Sequence, residues 1–368
     1  MSLRKRLSLK NSLRKLLNWQ PADEYRLRLA ERKLFFAEAR RKFVTEKPQH
    51  GSFRDYKRAF RRHRVTYAEY MYSYEFWRLD EAKRNRFLST SEAQCIYRKA
   101  GDAKVRLVFK NKALFLNTFS DFVTRDWISS EELPFETFLQ FIKRHEGIIL
   151  KPNEGTRGKG IEKIHYQGDE EAEAIYRRVM QNRCILEECI TACEEISAFH
   201  PQSLNTIRVV TVSGKGKCEL FGALIRMGAG GSFVDNTHAG GIYAPIDIAT
   251  GTVMTDGMDA HNRHFPKHPD TGKPIKGFIV PHWLDIVETC RRASQHIPNI
   301  RFAGWDLCVL PNGKVEIIEG NHAPDFDGGM QAPLKTGVKF RFQQTVKEVL
   351  GFDPLPLISI FHKTKKQG

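Results

Sequence analysis

The sequence has no apolar run approaching the roughly 18 residues that span a bilayer, and its N-terminus lacks the apolar stretch of a secretory signal. Its seven cysteines, at 95, 184, 189, 193, 218, 290 and 308, are odd in number and form no CxxC pair. They read as reduced thiols of a cytoplasmic protein, not as a disulfide framework. His261, His264, His268 and His282 cluster in sequence but lack HExxH spacing and cysteine partners, which argues against zinc. No Ser/His/Asp or Cys/His signature of a covalent nucleophile stands out, and there is no internal repeat or low-complexity tract.

What is present is length and unevenly placed charge. A chain of 368 residues can bury a large core in two or three lobes. Residues 1–64 hold 20 Lys/Arg against 6 Asp/Glu, whereas the remaining 304 hold 39 against 37. The basicity therefore belongs to the N-terminus. There Leu3, Leu7, Leu13, Leu16, Leu17, Leu27, Leu34, Phe35, Ala39 and Phe43 fall near helical spacing among Arg and Lys. Such a segment suits peripheral contact with an anionic membrane, at the inner surface for a cytoplasmic protein; docking on the main body through the same apolar stripe is the competing reading. Nucleic acid is disfavoured, because no recognition motif accompanies the charge.

Helical patterning dominates residues 3–100, with a break at 47–51, and the aromatic stretch from Tyr67 to Trp77 reads as core. Val105–Phe109 reads as a short strand. From Ile148 onward, strands and Gly-rich turns alternate with helices near 170–181, 282–296 and 336–350, and residues 363–368 read as a frayed tail. The fold class expected is α+β, built from antiparallel hairpins.

Trp305–Leu310 and Lys314–Asn321 form the clearest hairpin, turning at Pro311-Asn312-Gly313. Symmetric pairing about Asn312-Gly313 sets 310 against 315, 308 against 317 and 306 against 319. Asp306 then faces Glu319, and Asn321 shares the Glu319 face because side chains alternate with period two. Two opposed carboxylates repel unless a cation lies between them, so these three residues are candidate ligands for a hard cation such as Mg²⁺. A solvated charge pair at a sheet end is the alternative.

Upstream, Ile148–Lys151 is an apolar strand ending in a cation, followed by Gly155, Gly158 and Gly160, whose backbones can approach a phosphate closely. The loop is not a Walker A motif, lacking both GK[ST] and a following helix. Cys184–Ile190 is an apolar strand with Glu187 and Glu188 near its end, suited to an adenine edge. Arg208 and Arg226 interrupt apolar strands and call for anionic partners. The loop 234–242, with Asn236, His238, Gly240 and Gly241, suits close approach to a ligand, although the glycines can equally mark a bulge.

In combination these segments resemble the ATP-grasp superfamily, and within it the branch associated with sugar transfer. The carriers are Ser203-Leu204-Asn205-Thr206-Ile207-Arg208, Val234-Asp235-Asn236 with Ala239-Gly240-Gly241, His268-Pro269-Asp270-Thr271-Gly272, Gly304-Trp305-Asp306 and Ile318-Glu319-Gly320-Asn321. The resemblance covers about 105–345. It implies two α+β lobes clamping ATP behind a basic helical N-terminal region: 1–64 basic and amphipathic, 65–104 helical, 105–190 the nucleotide lobe, 191–352 the metal and substrate lobe, 353–368 a tail. It implies that Lys112 and Lys151 contact phosphates while Gly155, Thr156, Gly158, Lys159 and Gly160 close over them. Glu187, Glu188, Cys189 and Ile190 would hold adenine, Glu194 or Glu195 the ribose, and Asp306, Glu319 and Asn321 Mg²⁺. Asn205, Arg208, Arg226, Asn236, His238, Gly240 and Gly241 would line the substrate.

The implied activity is ligation of a carboxylate to an amine through an acyl phosphate, plausibly an amino acid joined to a sugar acid in cell-surface polysaccharide synthesis, with an anionic glycan or lipid-linked sugar as acceptor. A kinase on the same fold and a non-catalytic nucleotide-binding module are the alternatives. One departure stands out: where many such ligases carry an Arg two residues before the metal Asp, this sequence has Gly304, which leaves Arg208 or Arg226, with Lys151, to stabilise the reacting centre.

Overall fold

The computed structural model describes residues 21–155, 160–166, 168–235, 239–325 and 330–359. Its helical N-terminal part begins with α1 (Pro21–Thr45) and α2 (Phe53–His63). Ser52 caps α2 by accepting from the Asp55 amide, and His63 ends it against Glu81. Phe36 and Phe43 of α1 pack on Phe53, Tyr56, Phe60 and Tyr67, and Ala39 is fully buried. The apolar stripe of α1 thus faces protein in its described half, as the docking reading has it. Leu3 to Leu17 and the side chain of Leu27 lie outside the described residues. Among described residues no helix is long and apolar enough to cross a membrane.

Next come α3 (Thr90–Ala100), α4 (Ala103–Lys110) and α5 (Lys112–Thr118). The strand expected at Val105–Phe109 is therefore a helix. Asp102 accepts from the amides of Lys104 and Val105 and starts it. Val105, Val108 and Phe109 make its buried stripe while Leu107 is 62% exposed, a spacing that period two had mimicked.

A four-stranded antiparallel sheet follows: β1 (Trp127–Ser129), then α6 (Phe135–Arg144), β2 (Ile148–Pro152), β3 (Glu162–Ile164), α7 (Asp169–Gln181) and β4 (Cys184–Glu188), with strand order β1-β4-β2-β3. Phe138, Phe141 and Ile142 of α6 and Ala172, Ile175 and Val179 of α7 cover Ile148, Leu150, Ile164 and Leu186.

The larger sheet contains β5 (Ile207–Gly214), β6 (Lys217–Met227), β7 (Ile242–Ile246), β8 (Gly257–Met258) and β9 (His264–Phe265), then, beyond α8 (Trp283–His296), β10 (Phe302–Val309) and β11 (Val315–Asn321), and is followed by α9 (Lys339–Leu350). Its order is β11-β10-β5-β6-β7-β8-β9. Alternation decides which side chain goes where. Ile207, Val209, Ile225, Trp305 and Leu307 turn to α8, burying Ile286, Cys290 and Ala293. Val210, Val212, Phe221 and Phe302 turn the other way, to Phe342, Val346 and Val349 of α9. One pleat further along that second face the apolar cover ends, and Arg208, Arg226 and Asp306 stand there instead. Beyond α9, residues 355–359 form a short helix that sets Leu357 and Ile358 against the same core.

The β10–β11 register corrects one expectation and keeps another. Asp306 pairs with Glu319 as expected, but Cys308 faces Glu316, not Ile317, and Val309 faces Val315. The turn has three residues: the Leu310 carbonyl accepts from Gly313, which sits at φ 80°. This is the three-residue loop that places glycine in the left-handed region. A bulge at Ile318 then absorbs the offset and restores Asp306 opposite Glu319.

Candidate functional site

Arg208 on β5 lies directly beside Asp306 on the neighbouring β10. Its Nε donates to Asp306 Oδ1 in a short contact, and its Nη2 donates to Oδ2 at 2.6 Å. Arg226 from β6 adds Nη1 at 3.2 Å from both oxygens. The anionic partner that the two arginines called for is thus Asp306 itself. Burial pushes the Asp306 carboxyl up, but Arg208 and then Arg226 outweigh it and hold it at about 2. Gly304 shows why its own position is bare: a Cβ there would lie 3.3 Å from the Cδ and Nη1 of Arg208 and 3.0 Å from Pro324. The guanidinium groups beside Asp306 come instead from β5 and β6.

Across the β10–β11 pair, burial raises the Glu319 carboxyl and the neighbouring Asp306 carboxylate raises it further. Two carboxylates this close share a proton or a cation. Asn321 stands on the same face, its Nδ2 3.3 Å from Glu319 Oε1. These oxygens fit a hard divalent cation, with Glu319 the principal donor, because the two guanidinium groups already occupy much of Asp306. Among described residues no group of three His, Cys, Asp or Glu side chains is gathered for a metal, so Asn321 and substrate oxygens are needed to complete a shell.

The four-stranded sheet provides the opposite wall. Lys151 on β2 donates to Glu187 Oε2 on β4 in a short contact. Arg125, just before β1, donates Nη2 to Glu187 Oε1 at 3.2 Å, while its Nη1 makes a short contact with Glu316. Arg125 also donates to the carbonyls of Ile317 and Ile318, both at 3.0 Å, so one buried guanidinium joins both sheets and braces the bulge. Burial opposes ionisation of Glu187, yet Arg125 and Lys151 hold its carboxyl at about 2. Being depressed from 4.5, this group stabilises the fold above its unfolded value and ceases to as pH falls from about 4.5 to about 2. Glu187→Gln should therefore show a smaller difference in urea midpoint between pH of about 6 and about 3 than the native chain.

Two adjoining cavities, of about 230 Å³ and about 190 Å³, share Lys151, Glu187, Ile318 and Glu319 as a common wall. The first is lined by Lys112, Glu154, Gly155, Asn321 and His322. Lys112 donates Nζ to the carbonyl of Pro152 at 2.9 Å, and desolvation lowers its ammonium. The second holds Ile149, Ile161, Glu188, Cys189, Ile190, Arg226 and Asp235. The Glu188 carboxylate accepts from the Asp126 amide at 3.1 Å.

Other expected residues fall elsewhere. Glu194 and Glu195 are exposed and line neither cavity. Gly160, at φ 74°, closes against the ring of Pro152, and Gly240 and Gly241 lie off both cavities. Thr156, Gly158, Lys159, Asn236 and His238 lie outside the described residues. Asn205 is fully buried at φ 50°, with Nδ2 donating to the carbonyls of Ile196 and His200 and Oδ1 accepting from Ser203 and the Gly228 amide. All its polar atoms are spent holding loops, so it is not a substrate contact. Asn205→Ala should cost about 2–3 kcal/mol in denaturant unfolding, through buried groups left unpaired, without a selective rise in KM.

Sequence reasoning missed Arg125, and placed Thr206 and Asp235 in its motifs without giving either a role. Arg125 had a readable signal: Glu316 interrupts an apolar strand just as Arg208 does, and a buried anion needs a cation.

A small antiparallel sheet and a larger one, closing over a cleft that pairs lysines with carboxylates, define an ATP-grasp protein. The sequence matches the sugar-transfer associated ATP-grasp family over residues 127–347, and the chain belongs to that family. No curated protein matches it. Solved structures similar to it include the ATP-grasp ligase PsnB complexed with minimal precursor, Mg and ADP, at 14% identity over 64% of this chain and 56% of that one, TM-score 0.39. D-alanyl-alanine synthetase A from Vibrio cholerae gives 10% identity over 69% and 64%, TM-score 0.41. An L-amino acid ligase from Bacillus licheniformis gives 14% over 63% and 48%, TM-score 0.38. The chain spans less than two thirds of the length of each.

Proposed function

We propose that the protein is an ATP- and Mg²⁺-dependent ligase that activates a carboxylate as an acyl phosphate and joins it to an amine. The observation that carries this reading is Arg226 lining one cavity with Lys151, Asp306 and Glu319, while Arg208, which lines neither cavity, holds Asp306 behind it. A carboxylate substrate docks on Arg226. Lys112 and Lys151 neutralise phosphate oxygens beside Gly155 in the first cavity. Ile149, Ile161, Cys189, Ile190 and Ile318 offer apolar walls to adenine beside Glu188. Glu187, locked between two cations, positions Lys151 and does not itself take the adenine amino group. Asp306, Glu319 and Asn321 would hold Mg²⁺, which would supply charge neutralisation to the transferring phosphoryl group. Arg226, with Arg208 behind it, then stabilises the oxyanion formed when the amine attacks.

We infer a sugar acid and an amino acid as substrates, in cell-surface polysaccharide synthesis, a reading supported by the family's association with sugar transfer. Screening sugar acids and other carboxylates against amino acids for ADP release tests this. Phosphate released only when both substrates are present supports ligation; a stable phosphorylated product in place of the amide means hydroxyl phosphorylation instead. The N-terminal basic region suits an anionic membrane or a lipid-linked acceptor. Binding to phosphatidylserine vesicles should weaken with salt and be lost without residues 1–64; equal binding by the shortened chain rules this out.

A further inference from the structure

Asp235, in the loop between β6 and β7, plays no part in the nucleotide or metal assignments above. It lines the second cavity together with Thr206, Arg226, Phe233, Asp306 and Glu319. One of its oxygens is anchored: Oδ2 accepts from the Thr206 amide at 2.8 Å and from Thr206 Oγ1 at 2.5 Å. Oδ1 accepts no hydrogen bond from the described residues. Thr206 immediately precedes β5, two residues before Arg208, so the anchor fixes the carboxylate relative to the guanidinium groups. The cavity thus presents the Arg226 cation and the Asp235 anion together. A site that joins an acid to an amine needs both signs.

We propose that Asp235 is the subsite for the amine, binding a primary ammonium through Oδ1 and accepting its proton. The inference rests on the ligase reading. The ammonium passes one proton to Oδ1, and the freed lone pair forms the C–N bond to the acyl carbon. The bond from that carbon to the phosphate oxygen breaks, its electron pair leaving on phosphate, which takes the nitrogen's second surplus proton. Burial raises the Asp235 carboxyl while Arg226 opposes that, which keeps it a competent acceptor.

The test uses the full-length chain, a carboxylate that the native protein turns over, and two amines: the amino acid found in the screen and hydroxylamine, which is uncharged at neutral pH. Asp235→Asn keeps an acceptor for Thr206 and should bind a fluorescent ATP analogue with Mg²⁺ as the native protein does. It should form hydroxamate within about twofold of the native rate yet lose about a hundredfold or more in kcat/KM for the amino acid. Asp235→Ala should show the same split. Equal loss with both amines, amino-acid coupling within about threefold of native, or loss of nucleotide binding would each overturn the assignment. A native protein that makes no hydroxamate and releases no ADP with any carboxylate sinks the ligase reading and this one with it, an outcome distinct from those seen in the variants alone.

Discussion

Glu319→Ala should melt close to the native protein while losing about a thousandfold or more of its ATP-dependent turnover. The two effects separate because Glu319 contributes to charge placement and not to packing. Asp306 raises its carboxyl from across the strand pair, and the Glu319 side chain is exposed in the cleft. Removing it leaves the core intact and takes away the donor proposed for Mg²⁺. Differential scanning calorimetry and ADP release, measured across a Mg²⁺ titration, check both halves. Turnover that survives at saturating Mg²⁺ would mean that Asn321 and Asp306 suffice without it.

The largest stability effect should come from Arg125→Met, at about 3–5 kcal/mol by urea unfolding. Its guanidinium pairs with Glu187 and Glu316, and both carboxylates are buried. Without it two anions remain in the interior with, among the described residues, only Lys151 and Thr124 as side-chain partners. The triple variant Arg125→Met, Glu187→Gln, Glu316→Gln should recover a large part of the loss, since neutral groups cost less to bury than unpaired charges. If the triple variant is no more stable than the single one, the cost lies in lost packing and in the carbonyls of Ile317 and Ile318.

Much of the site was legible because its parts are local. A strand ending in Lys151, a hairpin carrying Asp306 and Glu319, and arginines breaking apolar strands can all be read from spacing. Helices over 169–181, 283–296 and 339–350 followed from apolar periodicity for the same reason. What escaped depends on contacts distant in sequence. Arg125 lies 191 residues from Glu316, and no spacing rule connects them. Asn205 looked like a ligand because it is polar and adjoins a site motif; only the fold shows its amide consumed by backbone groups. Val105–Phe109 misled because five residues sample too little of a helix to distinguish its period from that of a strand. The hairpin pairing came out right at 306 and 319 through two cancelling errors, a longer turn and an unforeseen bulge.

That bulge acts as a phase switch in β11. On its turn side the odd-numbered Val315 and Ile317 face the apolar core, and the even-numbered Glu316 faces Arg125. Beyond Ile318 the parity inverts: Glu319 and Asn321 turn to the cleft, and Gly320 lies where a Cβ would press on Phe109 and Phe115. Pairing Ile318 in regular register opposite Asp306 would therefore leave the composition of the strand untouched while turning the Glu319 carboxylate into the side of the sheet that packs on α8. The placement of Glu319 thus hangs on one residue held out of the ladder, which Arg125 secures through the carbonyls of Ile317 and Ile318.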